Sequence, residues 1–168
     1  MTSETSTHDL LVKEYFHIQD TIESFDSKAL TIKAWSVTLS MAGVGTAYVE
    51  DKHEVLLLAS FSGLLFWLIE GLWKTFQYAY YARIYEIEKH FAEETTGLAT
   101  PRISTSWLQS WRRGGRTRLV KVLLWPHVLL PHAAVFIGGI ILYVLPIIHQ
   151  YVCAACYQQQ HLRFDWIV

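Results

Sequence analysis

Three groups of residues combine types and spacing that could carry chemistry. Ser60, Gly63, Trp67, Glu70, Lys74, Gln77 and Tyr81 recur at alternating steps of three and four, so a helix gathers them on one stripe. Their surroundings are apolar, and a charge there must face protein or water rather than lipid. Two readings follow. Glu70 and Lys74 can pair at helical spacing, with Lys33 sharing the pair, and anchor the inner membrane boundary. Alternatively, in an oligomer, Glu70 rings the mouth of a pore lined by Ser60, Gly63, Lys74 and Gln77. Arg83 and His90 stand seven apart, which brings a basic pair to one side of a helix. Cys153 and Cys156, flanked by His149 and His161, have the spacing of a redox or zinc pair. An oxidised pair or small apolar packing explains the two cysteines as well. Nothing matches a nucleophilic triad, a phosphate loop, a dinucleotide fingerprint or an intramembrane protease. No catalytic residue, cofactor or metal is therefore expected, and the chain reads as a non-enzyme.

The elements that would position these residues are helical and largely apolar. Of the 168 residues, only 17% are charged and 52% are apolar, against about 25% charge in ordinary soluble domains. Ala34 to Val49 and Val55 to Ile69 are uncharged runs joined by Glu50-Asp51-Lys52-His53-Glu54. Each falls slightly short of the ~20 residues that cross a ~30 Å hydrocarbon core. Lys33 and Lys74 can snorkel to the headgroups, and Trp35, Trp67 and Trp73 suit the interface, which supplies the missing length. A third run, Val122 to Ile148, holds Pro126, Pro131 and Pro146, which would kink or bound it. Its Gly138-Gly139 pair offers a smooth patch for another helix. The expected fold class is thus all-α, a multi-span membrane protein with three spans. A two-span chain with a third, interfacial or partner-packed helix is the alternative.

Residues 1–30 form an amphipathic helix, because Leu11, Tyr15, Ile18, Ile22, Phe25 and Ala29 repeat at steps of four and three. That face either packs on the stalk that continues the second span or assembles subunits. Residues 31–94 hold the hairpin and its stalk, with helix continuing from Phe76 to Phe91 and a break at Thr95-Thr96-Gly97. Residues 95–121 are a polar and basic connection, 122–150 the third run and 151–168 a tail. On the first span Ser36, Ser40, Gly43 and Ala47 make a small-residue stripe for helix packing, within the chain or between subunits.

Met1 to Asp9 is polar and acidic, unlike a signal peptide, so the first span would direct insertion. The connection after the second span carries Arg83, Lys89, Arg102, Arg112, Arg113, Arg116, Arg118 and Lys121, against Lys52 alone in the hairpin turn. By the positive-inside rule the N-terminus and stalk face the cytoplasm. Trp107, Leu108 and Trp111 beside Arg112 and Arg113 read as a segment in the headgroups, drawn to anionic lipid. Membrane lipid is accordingly preferred to nucleic acid as the partner of that cluster.

The strings Ser-Phe-Asp-Ser-Lys-Ala-Leu-Thr-Ile-Lys-Ala-Trp-Ser-Val-Thr, residues 24–38, and Phe-Trp-Leu-Ile-Glu-Gly-Leu-Trp-Lys-Thr-Phe-Gln-Tyr-Ala-Tyr, residues 66–80, resemble those of small bacterial membrane proteins. The layout also resembles the SLATT group, in which a soluble helix leads into a two-helix hairpin and a cytoplasmic continuation. That resemblance implies a membrane-perforating effector of bacterial antiphage defence. The membrane accessory protein of type VI-B CRISPR systems is similar, with a pore and an Arg–His pair. The spacing of Arg83 and His90 is compatible with the metal-independent HEPN ribonuclease motif, although Ile84 stands where that motif has a polar residue. The third run departs from a two-helix layout, and no catalytic residue carries over from either group. The leading expectation is a homo-oligomeric channel of the bacterial inner membrane. The alternatives are a non-conducting anchor that recruits a cytoplasmic protein and a membrane-tethered ribonuclease.

Overall fold

The computed structural model of the chain describes residues 2–93 and 97–164, with the side chains of 7–93 and 97–155. Among the described residues the fold is all-α: α1 (Thr2–Val49), α2 (Glu54–Ala92), α3 (Ile103–Leu123) and α4 (Pro126–Phe164). α1 joins the expected N-terminal helix and first span without a break. It contains no proline, and its first glycine is Gly43, so nothing interrupts the backbone ladder where the composition turns apolar. The boundary expected near residue 30 is a change of environment only.

The turn after α1 closes tightly. The amide of Lys52 returns to the carbonyl of Ala47 at 3.0 Å, and Asp51 sits at φ 54. That left-handed conformation is one an aspartate tolerates at a helix end. At the other end of the chain, Pro126 opens α4, where its missing amide costs nothing. Pro131 and Pro146 lie inside α4, and the helix runs on past both.

The chain packs as two compact units. One comprises Met1–Ala34 with Phe66–Leu130, the other Trp35–Leu65 with Pro131–Val168. The first is built on the amphipathic face of α1. Leu11, Ile18 and Ile22 form a buried cluster with Ile84 and Ile87 of α2, and Tyr15, Tyr80, Leu98 and Ile103 pack around it. Fully burying one such side chain is worth about 2 kcal/mol, so this cluster fastens the stalk to α1. The stalk-packing reading of that face is the one observed within the chain.

In the second unit the small residues of α1 are turned inward. Ser36, Ser40 and Ala47 are buried, and a Cβ added to Gly43 would meet that of Ala59. Gly63 is closed off by Val135 and the His132 carbonyl, and Gly139 lies against Ser60. At Gly43–Ala59 and Gly139–Ser60, small residues on both sides let these backbones approach closely.

Among the described residues, two helices are long and apolar enough to cross a membrane: Glu54–Ala92, and α4 over Pro126–Ala155. Only 33% and 17% of their most apolar stretches are buried, whereas the core helix of a soluble domain is mostly covered. Leu58, Phe61, Leu65, Ile137, Ile141 and Leu145 are all exposed. A contiguous apolar surface of this kind marks an interaction with membrane or protein. α1 does not join the two, because Ser36, Thr38, Ser40, Gly43, Gly45 and Thr46 dilute its apolar run.

Candidate functional site

The stripe on α2 faces other parts of its own chain. Glu70 is fully buried and meets Lys33 of α1 at 2.8 Å. Lys74, 9% exposed, bonds to Asp26 of α1 and donates to the Gln77 side-chain oxygen at 3.0 Å. Gln77 in turn donates to the backbone carbonyl of Ile22 at 3.0 Å. Each step along α2 is matched by a step back along α1, which makes the pairing an antiparallel ladder. The expected partnership of Glu70 with Lys33 is present, and Lys74 finds its carboxylate in Asp26, so α1 presents Lys33 and Asp26, two helical turns apart, to the two charges of α2. Of the two remaining pore-lining candidates, Ser60 is buried with its hydroxyl on the Leu56 carbonyl at 2.7 Å, and Gly63 is buried too. For Ser60, Gly63, Glu70, Lys74 and Gln77 to line water, the packed helices would have to part.

The ladder ends in a knot around Glu14. Arg83, 1% exposed, grips both Glu14 oxygens, from Nε at 2.8 Å and a terminal nitrogen at 3.0 Å. It also donates to Glu86 at 3.1 Å and to the Ala99 carbonyl at 2.9 Å. The Thr100 hydroxyl (2.7 Å) and the Arg102 amide (3.2 Å) complete the shell of Glu14. Burial by itself raises a carboxyl, but the Arg83, Thr100 and Arg102 donors hold Glu14 below the usual carboxylate range. Burial likewise works against charge on Arg83, and its bonds to Glu14 and Glu86 more than offset it. Arg83 is therefore committed to fastening α1, α2 and the 99–102 connection. An RNA phosphate has no route to it while that knot is closed. His90 is half-buried, its ring tilted against Phe91 at 5.6 Å.

The interface residues divide into packed and open ones. Trp73 packs on Phe25 at 4.8 Å between ring centroids. The indole N–H of Trp107 donates to the Phe76 carbonyl at 3.0 Å, and its ring stacks on Trp111. Trp107 is thus fixed to α2, while Trp111, Arg112 and Arg113 remain exposed. Trp67, read as an interfacial residue, donates to the Leu123 carbonyl at 3.0 Å and satisfies the end of α3.

Beside that end lies a basic recess of about 470 Å³, bounded by Tyr78, Arg113, Gly114, Thr117, Arg118, Lys121, Val122 and Trp125. A second recess of about 440 Å³ shares Tyr78 and Trp125 and reaches Lys74, Gln77, Tyr81 and His127. Sequence reasoning saw the cations but not the aromatic partners that α2 and the α3–α4 turn bring to them. It also passed over His132, which is buried with Nδ1 3.1 Å from the Ser36 hydroxyl. One signal was available for Glu14, which falls between Leu11 and Ile18 on the apolar face. An acid there implies a buried partner.

Cys153 is exposed, with its sulfur 3.8 Å from His149 Nε2. The side chains of Cys156 and His161, needed for the zinc reading, lie outside the described residues, as do Thr95 and Thr96 of the expected break. Comparison with family models, with curated proteins and with solved structures gives no match for the chain.

Proposed function

We propose that the protein is a non-conducting membrane subunit, anchored by the apolar parts of α1, α2 and α4, whose stalk and basic α3 present a docking platform at the cytoplasmic surface of a bacterial inner membrane. One observation carries this reading: the charged residues that would line a conduit are paired inside their own chain, Glu70 with Lys33 and Lys74 with Asp26 and Gln77. What remains exposed along the apolar helices is Leu58, Phe61, Leu65, Ile137 and Ile141, which suits lipid or another apolar helix rather than ions. The cytoplasmic placement rests on the cluster of positive residues after α2.

The second reading is the homo-oligomeric, membrane-perforating effector of antiphage defence that the SLATT-like layout implies. It needs the Lys33–Glu70 and Lys74–Asp26 ladder to open on assembly. Ion flux from liposomes that hold the purified protein at high density separates the two. A retained potassium gradient is expected. A leak whose cation preference changes between Glu70→Ala and Glu70→Lys would establish the perforating reading instead.

A further inference from the structure

We infer that the recess at the α3–α4 turn is a binding site for a phosphate ester, with Arg113, Arg118 and Lys121 as its ligands. Three cations converge on one cavity, and no aspartate or glutamate lies anywhere in α3. Among the described residues no carboxylate pairs with any of the three. Like charges gathered in one recess repel each other until an anion enters, so the site is electrostatically incomplete by itself.

The recess is also shaped. Gly115 sits at φ 48 and ψ −155, a backbone conformation that side chains other than glycine's resist, and it bends α3 at this point. A Cβ on the preceding Gly114 would collide with the Arg118 guanidinium, so that glycine makes the space in which Arg118 lies. The guanidinium then rests over the Tyr78 ring, 5.0 Å from its centroid, which restrains it before any ligand arrives. Thr117 adds a hydroxyl donor to the lining. A planar fork, an ammonium and a hydroxyl suit the several oxygens of a tetrahedral anion. The volume falls within the ~300–1,000 Å³ of small-molecule sites, so the group carrying the phosphate fits as well. Tyr78 and Trp125, with centroids 6.0 Å apart, supply an amphipathic wall for that group. The membrane reading bears only on where the phosphate comes from, a lipid headgroup or a soluble ester.

The test uses the full chain in phosphatidylcholine nanodiscs, with phosphatidic acid doped into the lipid in one arm and glycerol 3-phosphate added to the solution in the other. Native mass spectrometry of the released protein reads bound lipid, and a thermal shift reads the soluble ester. The expected result is one phosphatidic acid retained per chain, at least tenfold over phosphatidylcholine. Arg118→Ala and Lys121→Ala should each lower that retention about tenfold, while Arg116→Ala, outside the lining, leaves it unchanged. Saturable binding of glycerol 3-phosphate with the same mutant pattern also supports the site and assigns a soluble source. Equal losses in Arg116→Ala would reduce the recess to diffuse surface charge and overturn the proposal. So would displacement by a polyglutamate peptide with no response to either phosphate. Retention is scored separately from ion flux, so a conducting protein that binds phosphate and a silent one that does not are told apart.

Discussion

The guanidinium of Arg83 lies fork-to-fork on the carboxylate of Glu14, and both side chains are closed off from solvent. Two charges taken out of water are tolerable here because Arg83 makes four hydrogen bonds and Glu14 accepts four. Removing one partner leaves the other buried and uncompensated. Arg83→Met and Glu14→Ala should each destabilise the chain by about 3–5 kcal/mol. The double replacement Glu14→Met with Arg83→Met should recover much of that loss. Thermal unfolding in nanodiscs, followed by helical circular dichroism, measures all four proteins; a wild-type melt for Arg83→Met would show the knot to be ornamental.

The same pair sets a pH dependence. The folded Glu14 carboxyl is held below its ordinary range, so folding favours its ionised form. Its contribution is complete above the unfolded carboxylate range, at roughly pH 5 and higher, and is lost as pH falls through the depressed folded value. Asp26 is also held low: its burial pushes upward, and the bonds from Lys74 and Gln77 outweigh that push. The melting temperature should therefore drop between about pH 5 and pH 3. In Glu14→Gln that slope should be visibly flatter.

Charge reversal tests the ladder at its other end. Lys33→Glu places an acid against buried Glu70 and should cost about 3 kcal/mol or more. Adding Glu70→Lys restores opposite signs across the pair and should return at least half of the lost melting temperature. No rescue in the double variant would mean that the two side chains act independently.

Adjacent glycines of α4 should respond differently. A Cβ at Gly138 meets nothing within 4 Å, whereas one at Gly139 runs into the Ser60 hydroxyl. Gly138→Ala should be neutral or slightly stabilising, because alanine favours helix. Gly139→Ala should cost about 1–3 kcal/mol through overpacking, and the added change Ser60→Ala should relieve part of it. Parallel melts of the three variants are sufficient.

Much of this arrangement was legible wherever periodicity and burial coincide. The spacing of Leu11, Ile18, Ile22 and Ala29 marked the face that packs on the stalk, and Ser36, Ser40, Gly43 and Ala47 marked the close helix contact. The stripe from Ser60 to Gln77 was legible as a face, but not what it meets. Lys33 was legible as a partner of Glu70, and only the register of α1 against α2 shows that Asp26 meets Lys74. Glu14 was overlooked because its partner lies 69 positions away. At α3 the expected short segment around Trp107 and Trp111 is helical, and the kink at Gly115, which sets it off from the rest of α3, was not read from the sequence.

The knot at Glu14 also has a clock in it. A ribosome adds about 5–20 residues per second, so Arg83 follows Glu14 by roughly 3–14 seconds, and Arg102 comes later still. Throughout that interval the Glu14 carboxylate lacks the guanidinium it meets in the finished chain. The clamp on the N-terminal helix locks only when the connection after α2 has been made. Synthesis halted before residue 99 would leave the hairpin complete and the clamp undone.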